Sequence, residues 1–188
     1  MKKIKILVFL LAFIGCKSIT PIYKEVKLQK ISKLGYIEPI YKLSKKVEKA
    51  KSLKNYKKYT NKRVDSLFLV DAKKYRISKK VSSQKIDTTE IHAIFDALRT
   101  SQKIIFSSNF KSFLKGSQEE YIMMLHLRPK ISYIASEIPI VGALKMEVII
   151  IKTNTEEIIF FDDAYSAIRN NTGKQLFDNI NYIYSKLD

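Results

Sequence analysis

The sequence predicts an α+β fold: a mainly antiparallel sheet with helices on one face, preceded by a Lys-rich, partly helical arm. Three observations carry this. Short segments rich in Ile and aromatics recur between residues 103 and 162, separated by turn residues, as consecutive strands require. Two stretches, 88–101 and 172–187, instead repeat apolar residues at helical spacing behind capping boxes. The charge is lopsided: residues 17–90 hold 19 Lys and 2 Arg against 7 acids, whereas 91–188 are balanced, with 11 cations and 11 acids. A shift of that size marks an organisational boundary. The expected division is therefore a leader at 1–15, a basic arm at 16–62 and an α+β domain at 63–188.

Residues 1–16 read MKKIKILVFLLAFIGC. Lys2, Lys3 and Lys5 precede an unbroken apolar run from Ile6 to Ile14. At about 1.5 Å per residue that run reaches roughly half a hydrocarbon core, so it reads as a secretory leader rather than a spanning helix. The run ends in Phe13-Ile14-Gly15-Cys16, which resembles the lipobox of bacterial lipoproteins, with Gly15 and Cys16 matching the pattern. The resemblance stops at residue 16. It implies that Cys16 becomes the mature N-terminus, takes a diacylglyceryl group on its sulfur, and holds the chain to a membrane of the bacterial envelope. The expected site is the outer membrane, facing the periplasm or the surface. Cys16 is also the only cysteine in the chain, so it has no partner for an internal disulfide.

The arm divides into two expected pieces. Residues 17–41, with Pro21, Gly35 and Pro39, read as a tether with short extended pieces at 22–26 and 36–40. Residues 42–59 place Leu43, Val47, Ala50, Leu53 and Tyr56 at helical spacing, a narrow stripe fit to dock one helix. Lys45, Lys46, Lys57 and Lys58 are its candidate contacts with a membrane surface. Anionic lipid or an acidic envelope polymer would suit such charge, as would plain solvation in a Lys-rich chain. Nucleic acid is not expected, because Arg supplies only 5 of 35 cations and no phosphate cradle is present.

Residues 64–70 and 74–81 read as two short strands joined in a hairpin through residues 71–73. Asp87 then caps a helix over 88–101, with Ile91, Ile94, Phe95 and Leu98 on one face and His92, Asp96 and Arg99 on the other. The segments 103–107, 120–128, 130–136, 144–152 and 157–162 read as strands, the last two as an antiparallel hairpin. Thr172 caps the closing helix.

Candidate chemistry is sparse. His92 and Asp96 stand four apart on one helix face, a spacing open to metal ligation but better read, with Arg99 beside them, as a solvated charge cluster. In 120–128 alternation places Ile122, Met124, His126 and Arg128 on one face, so His126 reads as a structural histidine on an edge or half-exposed strand. Asp162 and Asp163 end a strand, either as a helix-entry cap or as a loop site, the cap being preferred. No Gly-x-Ser-x-Gly elbow appears, and no cofactor or metal is expected. The expectation is a lipid-anchored, non-catalytic binding or structural module with an unidentified protein partner. The alternative is a membrane-tethered hydrolase built on His92 or His126 with Asp162 and Asp163.

Overall fold

A computed structural model describes residues 27–43, 51–84, 86–134, 138–167 and 172–187. Cys16, Lys45 and Lys46 lie outside them, as do the leader and the piece expected at 22–26. Among the described residues the strands are β1 (Leu34–Ile37), β2 (Ile40–Tyr41), β3 (Ile77–Val81), β4 (Tyr121–Ile134), β5 (Ile138–Lys152) and β6 (Glu157–Ala167). The helices are α1 (Lys51–Val70), α2 (Thr88–Arg99), α3 (Ser108–Gly116) and α4 (Thr172–Tyr184). The sheet runs β3-β1-β4-β5-β6, with β2 also on β4. β1 is parallel to both β3 and β4, while β4, β5 and β6 form an antiparallel meander. The class is α+β with a mixed sheet.

The long strands alternate cleanly, and that alternation builds two cores. Met123, Leu125 and Leu127 of β4 pack with Met146, Val148 and Ile150 of β5 under α1 and α4. Ile122 and Met124 pack with Ile149 and Ile151 under α2 and α3. The helices thus cover both faces of the sheet, where the sequence suggested one. With both faces buried, β4 and β5 hold apolar residues at successive positions, as strands between two helical layers do.

The tether reading does not hold for residues 28–41. Leu28 donates its amide to the Leu187 carbonyl, and Leu34, Tyr36 and Ile37 are fully buried in the middle of the sheet. The arm expected at 16–62 gives up these residues to the domain. The physical reason is that a four-residue central strand is too short to show a period. Gly35 has a steric role there. A Cβ added to it would sit 2.7 Å from Val81 Cγ2 and 2.8 Å from Glu119 Cγ, closer than packed atoms approach. Gly35→Ala should lower stability by about 1–3 kcal/mol in urea titration, the usual cost of overpacking. An unchanged midpoint would show that β1 and β3 part easily.

The strand expected at 64–70 is the last part of α1. Thr60, Val64 and Phe68 are buried at four-residue spacing, a helical period hidden behind exposed Leu69 and Val70. Phe68 stacks edge-on with Tyr36 and Tyr75 at centroid separations of 5.0 and 5.5 Å, joining α1 to β1 and to the turn before β3. No hairpin forms through 71–73, because β3 pairs in parallel with β1. Residues 103–107 are not a strand either. Ser107 accepts from the Phe110 amide and starts α3, which the sequence reading missed. The Asp87 cap is present, accepting from the Thr89 amide at 2.8 Å. Glu90 leaves the capping box to bind the Ser107 amide and hydroxyl, fastening α2 to α3.

Candidate functional site: a buried histidine–carboxylate network

α2 lies across the sheet with Ile91, Ile94, Phe95 and Leu98 buried against it. On one flank of that buried stripe, His92, Asp96 and Arg99 follow each other at positions i, i+4 and i+7 and meet polar residues from the sheet. Pairing register sets what they meet: Ile40, His126, Glu147 and Asp163 form one row across β2, β4, β5 and β6. His126 and Glu147 are direct cross-strand partners, and both are fully buried. His126 is therefore in a central strand, not on an edge or half exposed.

The contacts form a chain. Nδ1 of His126 lies 2.8 Å from Glu147 Oε2, and its Nε2 lies 2.9 Å from His92 Nδ1. Arg99 donates to the same Glu147 oxygen at 2.5 Å and also pairs with Asp96. Lys42, just past β2, reaches Asp96 at 2.7 Å. The Phe95 ring stacks on His126, with centroids 4.6 Å apart and planes 21° from parallel. At the rim Lys145 pairs with Asp163 at 2.8 Å and approaches Glu147 Oε1 at 3.5 Å. Arg128 stands 3.8 Å from that oxygen, which has no hydrogen-bond partner among the described residues.

Electrostatics follow from this geometry. Burial pushes the Glu147 carboxyl up, but hydrogen bonds from His126 and Arg99 more than reverse it and hold it at about 2. Burial pushes the His126 imidazole below its ordinary range, against the pull of Glu147. An ionised Glu147 beside a neutral His126 assigns the tautomer: Nδ1–H donates to the carboxylate, and Nε2 accepts from His92. Burial and the nearby Arg99 and Arg128 lower the Lys42 ammonium.

Chemically this is a carboxylate-oriented histidine whose far nitrogen is already occupied. Both ring nitrogens of His126 are engaged and one ring face is covered, so it presents no free base. Among the described residues no three His, Cys, Asp or Glu side chains gather to hold a metal ion. Of the residues singled out from sequence, His92, Asp96, His126 and Asp163 join one network, in place of a solvated cluster. Asp162 does not join it, because it pairs in register with Val148 on the other sheet face. Both aspartates lie inside β6, which continues to Ala167, so neither caps a helix entry.

Glu147 and Lys42 escaped the sequence reading. The available signal was a lone carboxylate in the apolar run LKMEVIIIK, since a charge in a buried strand demands a partner. Lys57 stands 5.5 Å over the Tyr41 ring, while Lys58 is exposed on α1.

No family model matches the chain, and no curated protein matches it. Solved structures similar to it include the PelC dodecamer from Paraburkholderia phytofirmans, at 6% identity and TM-score 0.46, covering 83% of this chain and 86% of that one. Lipoprotein GNA1162 from Neisseria meningitidis matches at 6% identity and TM-score 0.41, covering 83% and 97%. The LpoB C-terminal domain from Salmonella enterica matches at 12% identity and TM-score 0.38, covering 77% and 87%. At these scores the likeness is one of general shape, and no function is carried across from it.

Proposed function

We propose that this chain is a lipid-anchored protein of the bacterial cell envelope whose folded domain is a non-catalytic binding or structural module. The observation that carries the anchor is the leader ending in Gly15-Cys16, with Cys16 the only thiol of the chain. Two or three acyl chains on that residue hold a protein firmly, where one would bind only marginally. The outer membrane, with the domain toward the periplasm or the surface, is the location this reading assigns, and a protein is its principal partner. Full burial of His126 with both nitrogens engaged favours the binding module over a membrane-tethered hydrolase. A general base must reach the proton it abstracts, and this one is spent on structure.

Intact-mass analysis of the membrane fraction tests the anchor. The expected result is loss of residues 1–15 and gain of acyl mass on Cys16. Cys16→Ser should leave the protein unprocessed or release it from the membrane. Membrane retention with acyl mass in Cys16→Ser would refute the assignment.

A further inference from the structure

The outward face of α1 has no acid on it. Lys54, Lys58 and Lys62 follow each other at four-residue spacing, all exposed. Like charges at that spacing repel and destabilise an isolated helix. The helix's carboxylate, Asp65, is turned to the Tyr36 hydroxyl and to Lys80. Among the described residues no carboxylate pairs with Lys54, Lys58 or Lys62. On the same outward face Tyr59, Leu69 and Val70 are 47%, 53% and 77% exposed. A repulsive lysine row flanked by exposed apolar side chains is unfavourable in water, and an external anionic, partly apolar surface would satisfy both halves.

A second observation fixes how far such a surface can be. Leu28, where the domain begins to pack, is hydrogen-bonded to Leu187, three residues past α4, in the layer that also contains α1. Residues 17–27 separate it from Cys16. Whatever path they take, they span at most about 40 Å. An anchored chain therefore leaves the domain from the α1–α4 layer and keeps that layer within a domain's breadth of the headgroups.

We infer that the outward face of α1 docks on the anionic lipid headgroups of the membrane that holds the anchor, with Lys54, Lys58 and Lys62 on phosphates and Tyr59, Leu69 and Val70 in the interfacial layer. This deepens the anchored-module reading and rests on it. It also moves the contact from the arm to a folded helix, and it leaves out Lys57, which faces Tyr41. An acidic polymer would match the lysines, but it offers nothing to Leu69 and Val70. A headgroup layer takes charged tips and apolar stems together.

The test uses the full lipidated chain carrying Ser66→Cys on the exposed face, purified from membranes and reconstituted in vesicles. With Cys16 acylated, the new thiol is the single attachment point for an environment-sensitive fluorophore, and its quenching by a headgroup-borne quencher reports docking. Docking should be strong in vesicles of phosphatidylglycerol and phosphatidylcholine mixed in equal parts and weak in phosphatidylcholine alone. About 1 M salt, where the Debye length is near 3 Å, should abolish it. Each lysine at such a surface is worth roughly fivefold in the docked-to-free ratio, so Lys54→Gln/Lys58→Gln/Lys62→Gln should lower that ratio about a hundredfold. The corresponding triple Arg variant should retain it, and equal thermal melts would show that both variants fold. Equal quenching in neutral and anionic vesicles, or an unaltered triple Gln variant, would overturn the proposal. So would capture by an acidic polysaccharide in place of the vesicles. Absence of acyl mass on Cys16 would refute the anchor instead, and double labelling would reveal it.

Discussion

Replacing Glu147 by Ala should destabilise the protein by about 3–5 kcal/mol, because it strands Arg99 and the His126 N–H in a buried site without their acceptor. The carboxylate receives both at 2.5 and 2.8 Å and is fully buried. Urea unfolding at neutral pH is the measurement, and a cost below about 1 kcal/mol would show that water replaces the acceptor. The triple variant Glu147→Leu/Arg99→Met/His126→Leu, which removes both stranded donors as well, should recover much of the loss, since apolar residues of similar volume commonly substitute for a buried ionic cluster.

The same site sets an acid limit. Glu147 is held at about 2 against an ordinary 4.5, so between those values the unfolded chain binds the proton that the folded chain refuses. Its contribution is complete above about pH 4.5 and is lost as pH falls toward 2. The shift corresponds to on the order of 3 kcal/mol. The lowered His126 acts with the same sign, its contribution starting to fall below about pH 6.5. Stability should therefore decline monotonically on acidification from neutral pH. Glu147→Gln should remove this carboxylate's share of the decline below pH 4.5 and keep or deepen the share above it, because His126 loses the charge that pulls its imidazole up. A wild-type optimum below pH 5 would contradict the assigned protonation states.

A fragment beginning at residue 60 should fail to fold cooperatively, although residues 63–188 contain most of the apolar strands. β1 fills the slot between β3 and β4, pairing with both. Without it β3 has no neighbour, β4 exposes a bare edge, and Leu34, Tyr36 and Ile37 leave both cores. A chain starting at residue 27 should melt in one transition, whereas the shorter fragment should show a broad, weak transition in circular dichroism and bind a hydrophobic dye. A sharp melt of the 60–188 fragment would mean that β1 is an accessory strand.

Local sequence was sufficient for features whose cause is local. The Asp87 cap, the apolar stripe of α2, the alternation over 121–128, the hairpin of β5 and β6 and the closing helix each follow from near neighbours, although the strands expected at 120–128 and 130–136 are one, β4, which runs through Pro129. What required the third dimension were the long-range pairings. Four residues of β1 show no period, yet they take an interior place in the sheet, between β3 and β4, because parallel partners arrive from residues 77–81 and 121–123. Exposed Leu69 and Val70 disguised the end of α1 as a strand. In the site, His92, Asp96 and His126 were visible one by one, but their meeting was not. A one-residue slip between β4 and β5 would turn Glu147 to the other face, so the bulge at Lys130 and Ile131 and the pairing around it place the carboxylate opposite His126. The leader and Cys16 are the opposite case. Their meaning lies in a contiguous run of charge, apolar residues and one thiol, which is read before any fold exists.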